Sequence, residues 1–508
     1  MAKKPKAPPV LAPATGKRVC IIGAGITGLA LAIRLQASGL AVTCCEARAA
    51  PGGLLTGGPA AKGFTFGLVP AMIDDIGGLE DLFQLGGTDS APITAIPITP
   101  QHRFSWPDGT HFTLSGDPAA LRGEIVGFAP EDIAGFEDLL ALAETKHDVV
   151  KERGVVNERV GGWKGLLHRL PRLMHPHAWR SAYGLVAAHI SSEHLCQALS
   201  VMPVLTGGDP QRMAGLALPG LGQMLSHGAY WPEGGFTRLA ESLVALFTTL
   251  GGSYRGGDPI RAIHTLGNRA YEVESATGWR EQFDAVVHTG DAMHLYRDLL
   301  GGTGRGQAMM RHLAGRRYAP SLFVVHFALQ GTWPGIPHHS VLFGPRYRSW
   351  LNDVFDHGVL PRDGLISLHH PSLTDPTLAP PNKSVFTAVM PVAHRGKLAI
   401  DWPQLAPMLE GRVLDEIGRR LIPDIHDRII AKFTMTPRDF ALDFNSWHGS
   451  LFGPEVGRIP RPWDPLGSRD RVFGNLYLGA VGLAGTGIGA ALDQAKALAN
   501  SIIHDVKS

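Results

Sequence analysis

Arg18-Val-Cys-Ile-Ile-Gly-Ala-Gly-Ile-Thr-Gly28, close to the start of this 508-residue chain, predicts a strand that turns directly into a helix. Its first five residues form an apolar run typical of a buried parallel strand, and Leu29 to Ser38 has the pattern of a helix. Between them, Gly23 permits a sharp turn, Gly25 lets a pyrophosphate approach the backbone, and Gly28 lets helix and strand pack closely. The helix N-terminus offers N–H groups and a partial positive charge to phosphates, so this stretch predicts a dinucleotide-binding turn.

A second predicted strand, Ala41 to Cys45, ends at the acidic residue Glu46. An acidic residue at this distance from the glycines accepts hydrogen bonds from both ribose hydroxyls and disfavours a 2′-phosphate, so NADP is not expected. The glycine pair Gly52-Gly53 then resembles the extended signature of large FAD-binding flavoproteins rather than NAD dehydrogenases. The predicted FAD contacts in this part of the chain are Gly23, Ala24, Gly25, Thr27, Gly28, Glu46, Ala47, Gly53 and Leu54.

A second glycine-rich junction lies near the other end of the chain. The predicted strand Asn475 to Gly479 leads through the glycine-rich turn Ala480 to Gly489 into a helix, Ala490 to Ile503. A helix N-terminus directed at the isoalloxazine edge stabilises an anionic reduced flavin. A plain strand–turn–helix that closes the domain is the alternative, and both interpretations hold together. Gly479, Gly487 and Ile488 here, with Ile260 from a middle strand, complete the predicted FAD contacts.

Composition excludes several classes of protein. The net charge of +2 gives no case for nucleic-acid binding, and the four cysteines form no CxxC pair that would suggest a metal or a disulfide framework. No apolar run reaches the length of a membrane span, and residues 1–16 lack the apolar core of a signal peptide. These features favour a cytoplasmic protein.

The middle of the chain predicts a second structural unit inserted into the first. Helices are expected at Ala129 to Val150, Leu185 to Leu199 and Thr237 to Leu250, and a further strand at Ser321 to Leu329. The basic apolar segment Trp163–Arg180 suits docking on a membrane surface or, alternatively, a core helix with snorkelling basic side chains.

The predicted fold class is therefore α/β, with a Rossmann-type discontinuous FAD-binding domain and an interleaved α+β substrate domain. We expect a disordered basic arm at residues 1–16 and three parts of the FAD-binding domain at 17–90, 226–300 and 446–508. The substrate domain would occupy residues 91–225, including the membrane-associated segment, and 301–445.

Long stretches of the sequence resemble one protein family. They are IIGAGITGLALAIRLQASGL at residues 21–40, RSAYGLVAAHISSEHLCQALS at 180–200, YWPEGGF at 230–236, SLFVVHFALQGTWPGIPHHSVLFGPRY at 321–347 and LHHPSLTDPTLAPP at 368–381. With them the chain, from Arg18 to His504, resembles the bacterial phytoene desaturases, the carotenoid-desaturase branch of the amine-oxidase-like flavoproteins. The resemblance implies FAD, a long apolar polyene as substrate, hydride transfer to flavin N5, and oxygen or a quinone as electron acceptor. It also implies peripheral association with the inner face of the cell membrane.

The chain departs from the family pattern where cofactor or substrate contacts are expected. Leu54 replaces an Arg, Gly67 an Asp, Gly165 and His168 the Asp and second Arg of one motif, and Leu483-Ala484 a His-Pro pair. These changes indicate a divergent member with altered chemistry or substrate. No catalytic residue is identified, and His168 and Arg180 are the candidates. The alternatives are a carotenoid isomerase, another oxidase or oxygenase on the same FAD frame, and a non-catalytic FAD- or carotenoid-binding paralogue.

Overall fold

The computed structural model describes residues 16–58, 61, 63–87, 93–142, 180–215, 228–455, 466–479 and 487–507. The strands are β1 Arg18–Ile22, β2 Ala41–Cys45, β3 Ala95–Pro97, β4 His102–Ser105, β5 His111–Leu114, β6 Tyr230–Pro232, β7 Ser253–Arg255, β8 Ile260–Leu266, β9 Arg269–Ser275, β10 Arg280–Gln282, β11 Ala285–His288, β12 Ser321–Gln330, β13 His339–Leu342, β14 Ile366–His369, β15 Lys383–Val392, β16 Ile429–Met435 and β17 Leu476–Leu478.

The α-helices with two described ends are α1 Ile26–Ala37, α2 Ile76–Gln84, α3 Pro118–Phe128, α4 Ala182–Val186, α5 Glu193–Ser200, α6 Met202–Leu205, α7 Gly235–Thr249, α8 Ala292–His294, α9 Gly304–Ala314, α10 Tyr347–Asn352, α11 Pro371–Thr374, α12 Trp402–Arg420, α13 Ile425–Arg428, α14 Pro437–Asp443 and α15 Ile488–Lys507. Residues 133–142 are also helical.

A five-stranded parallel sheet organises the nucleotide-binding part of the molecule. Its strand order is β17-β11-β1-β2-β7, so it combines strands from the beginning, middle and end of the chain. The helices α1, α7 and α15 cover one face, where Leu29, Leu243 and Leu498 belong to one buried cluster. The other face packs against β8 and β9, which form a three-stranded antiparallel sheet with β10. This arrangement is the Rossmann-type half of an α/β fold.

A seven-stranded sheet organises the second half. Its order is β16-β12-β15-β14-β13-β4-β5, and its described pairs are antiparallel except the parallel pair β13–β4. One face packs on α12, with Phe323 and Phe386 against Trp402 and Leu409. The other face contacts the segment that follows the second glycine pair, where Leu54 and Leu68 meet Val324. The strands β3 and β6 form a separate, small antiparallel pair.

One predicted helix is wrong. The stretch Leu185 to Leu199 is not continuous, because α4 ends at Val186 and α5 begins at Glu193. The buried Asp132 carboxylate accepts hydrogen bonds from the N–H groups of Ser191 and Ser192, at 2.7 and 2.8 Å, and so holds the break. Ser192 is the N-cap of α5, and its hydroxyl accepts a hydrogen bond from the Leu195 N–H at 3.4 Å, so Ser192-Glu193 is a local signal that the prediction overlooked.

The other predicted elements differ mainly at their ends. Helix α1 begins at Ile26, three residues earlier than expected, because the glycine turn closes within Gly23–Gly25. In the predicted helix Ala129 to Val150, Pro130–Asp132 form a 3-10 turn and residues 133–142 are helical, while 143–150 lie outside the described residues.

Candidate functional site

The first glycine turn is fixed by contacts that only glycine permits. Gly23 has a φ of +112°, and its N–H donates to the Cys45 carbonyl at 2.8 Å. A Cβ on Gly28 would lie 1.9 Å from the Gly23 carbonyl oxygen. The Thr289 hydroxyl, from the residue after β11, donates to the same oxygen at 2.9 Å. The close contact between Gly23 and Gly28 and the hydrogen bond from Thr289 therefore hold the end of β1 against the start of α1. Thr289 was not among the predicted site residues.

The start of α1 is an open cradle. Gly25 is its N-cap, and among the residues that the structure describes a Cβ on Gly25 would meet nothing within 4 Å. The second glycine pair lies against this turn, since the Gly52 N–H donates to the Ala24 carbonyl at 2.8 Å and a Cβ on Gly53 would approach the Gly25 Cα to 3.2 Å. Uncapped N–H groups and open space in front of glycine suit a pyrophosphate.

Glu46 lies beside this cradle. Its carboxylate is buried and accepts from the Ala24 N–H at 2.8 Å and from the Arg48 N–H at 3.0 Å. An ionised carboxylate has about four lone-pair positions, so two remain for the hydroxyls of a ribose. Ala47, the next residue, is exposed at the same edge.

Arg48 is a second residue that the sequence analysis missed. Its guanidinium donates to the Thr56 hydroxyl at 2.7 Å and to the Gly53 carbonyl at 3.4 Å, and it lies 4.5 Å over the ring of Phe444. Arg48 therefore fixes the glycine pair against a residue some 400 positions later in the chain. Only its place between Glu46 and the glycines could have indicated this role.

The C-terminal junction reaches the same edge of the sheet. A Cβ on Gly479 would lie 3.3 Å from the Thr27 side chain and 3.2 Å from that of Thr289. Helix α15 begins at Ile488, after Gly487 with a φ of +110°. Residues 480–486, which include Leu483, lie outside the described part of the chain.

Asp74 contacts the start of α15 and is a third missed residue. Its Oδ1 accepts a hydrogen bond from the Gly489 N–H at 2.8 Å. Burial raises the pKa of this carboxyl, while the Gly489 N–H acts in the opposite direction. The only signal in the sequence is the pair Asp74-Asp75 before α2, of which Asp75 caps that helix through the Gly78 N–H at 2.9 Å.

The remaining predicted site residues lie in different places. Ile260 is buried at the start of β8, in the cluster with Ile22 and Cys45 behind the nucleotide sheet. Leu54 packs at the junction with the seven-stranded sheet. Arg180 is exposed beside α4. The apolar side chains of α4 belong to a different buried cluster from those around the glycine turn, so packing among the described residues does not bring Arg180 to that turn. His168 lies outside the described residues.

A row of polar side chains crosses the face of the seven-stranded sheet that contacts Leu54 and Leu68, called the junction face below. Direct neighbours in the strand register are His339 with His369, His369 with Thr387, and Thr387 with His326. His102 stacks on His339 at 4.9 Å, and the Nδ1 atoms of His339 and His369 are 2.6 Å apart. Burial lowers the pKa of His102 to about 4 and that of His326 to about 3, so these imidazoles are neutral at pH 7.

The residues at this edge of the sheet fit FAD. The uncapped turn at Gly25 matches a pyrophosphate, Glu46 retains acceptor capacity for ribose, and the junction at Gly479 meets the same edge. Among the described residues, no three His, Cys, Asp or Glu side chains are grouped to hold a metal ion. Within the same ranges, no helix has the length and apolarity needed to cross a bilayer.

The fold matches oxidoreductases of known structure. An oxidoreductase from Methanosarcina mazei superposes with a TM-score of 0.63 at 16% identity, covering 94% of this chain and 99% of that one. A triple mutant of putrescine oxidase superposes with a TM-score of 0.64 at 13% identity, covering 96% of this chain and 99% of that one. At these identities the similarity shows the fold alone.

Sequence comparison identifies the family. The model of the flavin containing amine oxidoreductases matches residues 26–503. A phytoene desaturase (lycopene-forming) from Paracoccus sp. is 36% identical over 97% of this chain and 98% of its own length. A second, from Pantoea ananas, is 33% identical over 96% of this chain and 100% of its own. The chain therefore belongs to the flavin-containing amine oxidoreductases and, within them, to the phytoene desaturase family, with FAD as its cofactor.

Proposed function

We propose that this protein is an FAD-dependent desaturase that introduces C=C bonds into a carotenoid or a similar long apolar polyene. The observation that carries the proposal is the apolar cluster around Leu54, next to the second glycine pair. There Leu54 packs against a buried cluster that includes Leu68, Leu322 and Val389, from the glycine-rich segment and from two strands of the large sheet. A polyene cannot form hydrogen bonds, so apolar walls beside the cofactor suit it.

The residues divide the work of holding FAD. The start of α1 at Gly25 would bind the pyrophosphate, Glu46 the ribose, and the junction of Gly479, Gly487 and Ile488 the isoalloxazine end. Gly23, Gly28 and Gly53 keep the backbone close enough for these contacts. We also assign Ala24, Thr27, Ala47 and Leu54 to the FAD contacts, with Ile260 packed behind the nucleotide sheet. When bound, FAD supplies a two-electron acceptor. The apolar cluster around Leu54 would position the allylic C–H and exclude water.

The finer parts of the proposal concern proton transfer, the electron acceptor and location. We propose His168 and Arg180 as candidates for moving or positioning the proton that leaves the substrate. Oxygen or a quinone would receive the electrons, and the protein would associate peripherally with the inner face of the cell membrane. The proposed division into domains places the membrane contact within residues 91–225.

One observation favours a related reaction as a second candidate. Gly67 stands where the family pattern has an Asp, yet of the atoms that the structure describes a Cβ on Gly67 would meet only the Val69 carbonyl oxygen, at 3.8 Å. Packing therefore does not require glycine there, and the change removes a group able to carry a proton. An isomerisation or a different oxidation on the same FAD frame is consistent with that loss.

Pigment analysis of a phytoene-producing host that expresses the chain tests the proposal. New polyenes with longer conjugated systems are expected. A Gly25→Ala variant, designed to exclude FAD without disturbing the fold, should leave phytoene unchanged. Unchanged phytoene with the FAD-loaded wild-type protein would reject desaturation, and a changed ratio of geometric isomers would favour the isomerase.

A further inference from the structure

The helices α1 and α15, which begin at the same edge of the five-stranded sheet, differ in what their N-termini contact. Helix α1 starts at the uncapped Gly25, whereas the first turn of α15 donates its Gly489 N–H to the Asp74 carboxylate. The approach is close, because a Cβ on Gly487 would lie 2.9 Å from Asp74 Oδ2. One N-terminus is left for a ligand, and the other is occupied by a carboxylate of the protein itself.

Both N-termini lie at the same edge of the nucleotide sheet. The strands β1 and β17 run parallel in that sheet, and each is followed by a helix that begins beyond its carboxyl end. Gly479, at the end of β17, packs against Thr27 in the first turn of α1. Ligands of open parallel sheets bind at this edge. With FAD held as proposed above, Asp74 and the start of α15 lie at its isoalloxazine end, and the inference below depends on that placement.

The charge of Asp74 opposes that of the helix end. A helix N-terminus carries about +0.5 of an elementary charge and stabilises nearby anions. Two-electron reduction of a flavin adds electron density to the isoalloxazine, so a free N-terminus would favour the reduced form. The Asp74 carboxylate offsets this effect, and the neighbouring Asp75 and Asp493 add negative charge nearby.

We propose that Asp74 is a positioning residue that sets the reduction potential of the bound flavin, holding it below the value that the α15 N-terminus alone would give. A lower potential makes the reduced flavin a better donor to the next electron acceptor. The chain would thus favour reoxidation of its cofactor over accumulation of the reduced form.

Asp74→Asn is the direct test, since the amide oxygen keeps an acceptor for the Gly489 N–H while the charge is removed. The matched control is Asp75→Asn, because Asp75 adjoins Asp74 but contacts α2, and Asn is also a good N-cap. The midpoint potential of bound FAD is measured for each protein by equilibration with redox dyes, together with the FAD dissociation constant and the unfolding free energy of the apoprotein.

We expect Asp74→Asn to tighten binding of reduced relative to oxidised FAD about tenfold, which raises the two-electron potential by about 30 mV. Asp75→Asn removes a charge that is bonded to α2 and not to α15, so it should raise the potential by much less. Should Asp74→Asn fold poorly, Asp74→Thr keeps a short acceptor without charge and should give the same shift. An unshifted potential in FAD-loaded Asp74 variants, or an equal shift in Asp75→Asn, would overturn the inference alone. A wild-type protein that binds no FAD would overturn the proposed function with it.

Discussion

The five-stranded parallel sheet and the seven-stranded mixed sheet differ in the groups that they present, which are mainly backbone groups in the first and side chains in the second. At the edge of the first, backbone groups and glycines make the cradle, and the side-chain contribution comes from a few residues such as Glu46 and Thr289. On the junction face of the second, side chains from separate strands meet, among them His102, His339 and His369. A site made by a continuous stretch of backbone is visible in a sequence. A site assembled from distant side chains is not.

The largest effect is expected from Gly28→Ala, which breaks the backbone lock of the first sheet. The added Cβ would lie 1.9 Å from the Gly23 carbonyl oxygen, which cannot move without opening the turn. We expect a loss of about 3 kcal/mol in the free energy of unfolding, at the upper end of overpacking costs, together with loss of FAD. Urea unfolding of the apoprotein measures it, and wild-type stability in this variant would show that the turn is not locked as described.

Acidification should act on the second sheet. The folded-state pKa values of His102 and His326 lie near 4 and 3, below about 6.5 in the unfolded chain. The unfolded state therefore binds protons first, so stability is complete above pH 6.5 and falls as the pH drops toward 4. Each such histidine contributes about 1.4 kcal/mol per pH unit in this window.

The control for the acid effect is His102→Phe, which keeps a ring stacked on His339 and removes one titrating group. Its Nδ1 has no hydrogen-bond partner, so the substitution sacrifices no bond at that atom. Unfolding free energies at about pH 7.5 and about pH 5 should differ less in this variant than in the wild type by roughly 1–2 kcal/mol. An unchanged difference would mean that His102 does not titrate with the transition.

Gly25→Ala separates cofactor binding from folding. A Cβ at this position meets nothing within 4 Å and Gly25 has an ordinary φ of −69°, so the apoprotein should keep its stability. The same methyl group would occupy the space that the pyrophosphate needs, and we expect FAD affinity to fall at least about tenfold, or 1.4 kcal/mol. Flavin fluorescence titration gives the dissociation constant, and wild-type affinity would place the phosphates elsewhere.

Gly67→Asp should have the smallest effect on stability. The site has room for the side chain, so the unfolding free energy should change by about 0.5 kcal/mol or less. The informative readout is the reaction, because the family pattern predicts an Asp at this position. A shift of products toward those of plain desaturation would link Gly67 to the divergence, and a destabilisation of several kcal/mol would show that glycine is required by packing.

The sequence predicted much of the nucleotide half because its signals are local. The strands β1 and β2 have the expected bounds, and FAD follows from the glycines and Glu46. Thr289 and Asp74 were missed because each acts on a segment far away in the chain. Arg48 bonds the nearby Gly53 and Thr56, and only its stacking on Phe444 is distant. Local pattern carries no information about such pairs.

The substrate half was less predictable for the same reason. The break between α4 and α5 depends on Asp132, about 60 residues earlier, as well as on the N-cap Ser192 within the stretch itself. The apolar run along β12 predicts a strand, but the partners of His326 are set by the registers of β15 and β16. Register across seven strands is a property of the whole sheet.

Anaerobic titration of the FAD-loaded protein with phytoene in liposomes tests the central claim most directly. If the turn at Gly25 holds FAD and the apolar cluster around Leu54 contacts the polyene, the flavin absorbance should bleach as polyene bands with longer conjugation appear. The flavin reduced and the double bonds formed should be stoichiometric. Flavin that stays fully oxidised while phytoene remains unchanged, in protein shown to hold FAD, would contradict the account.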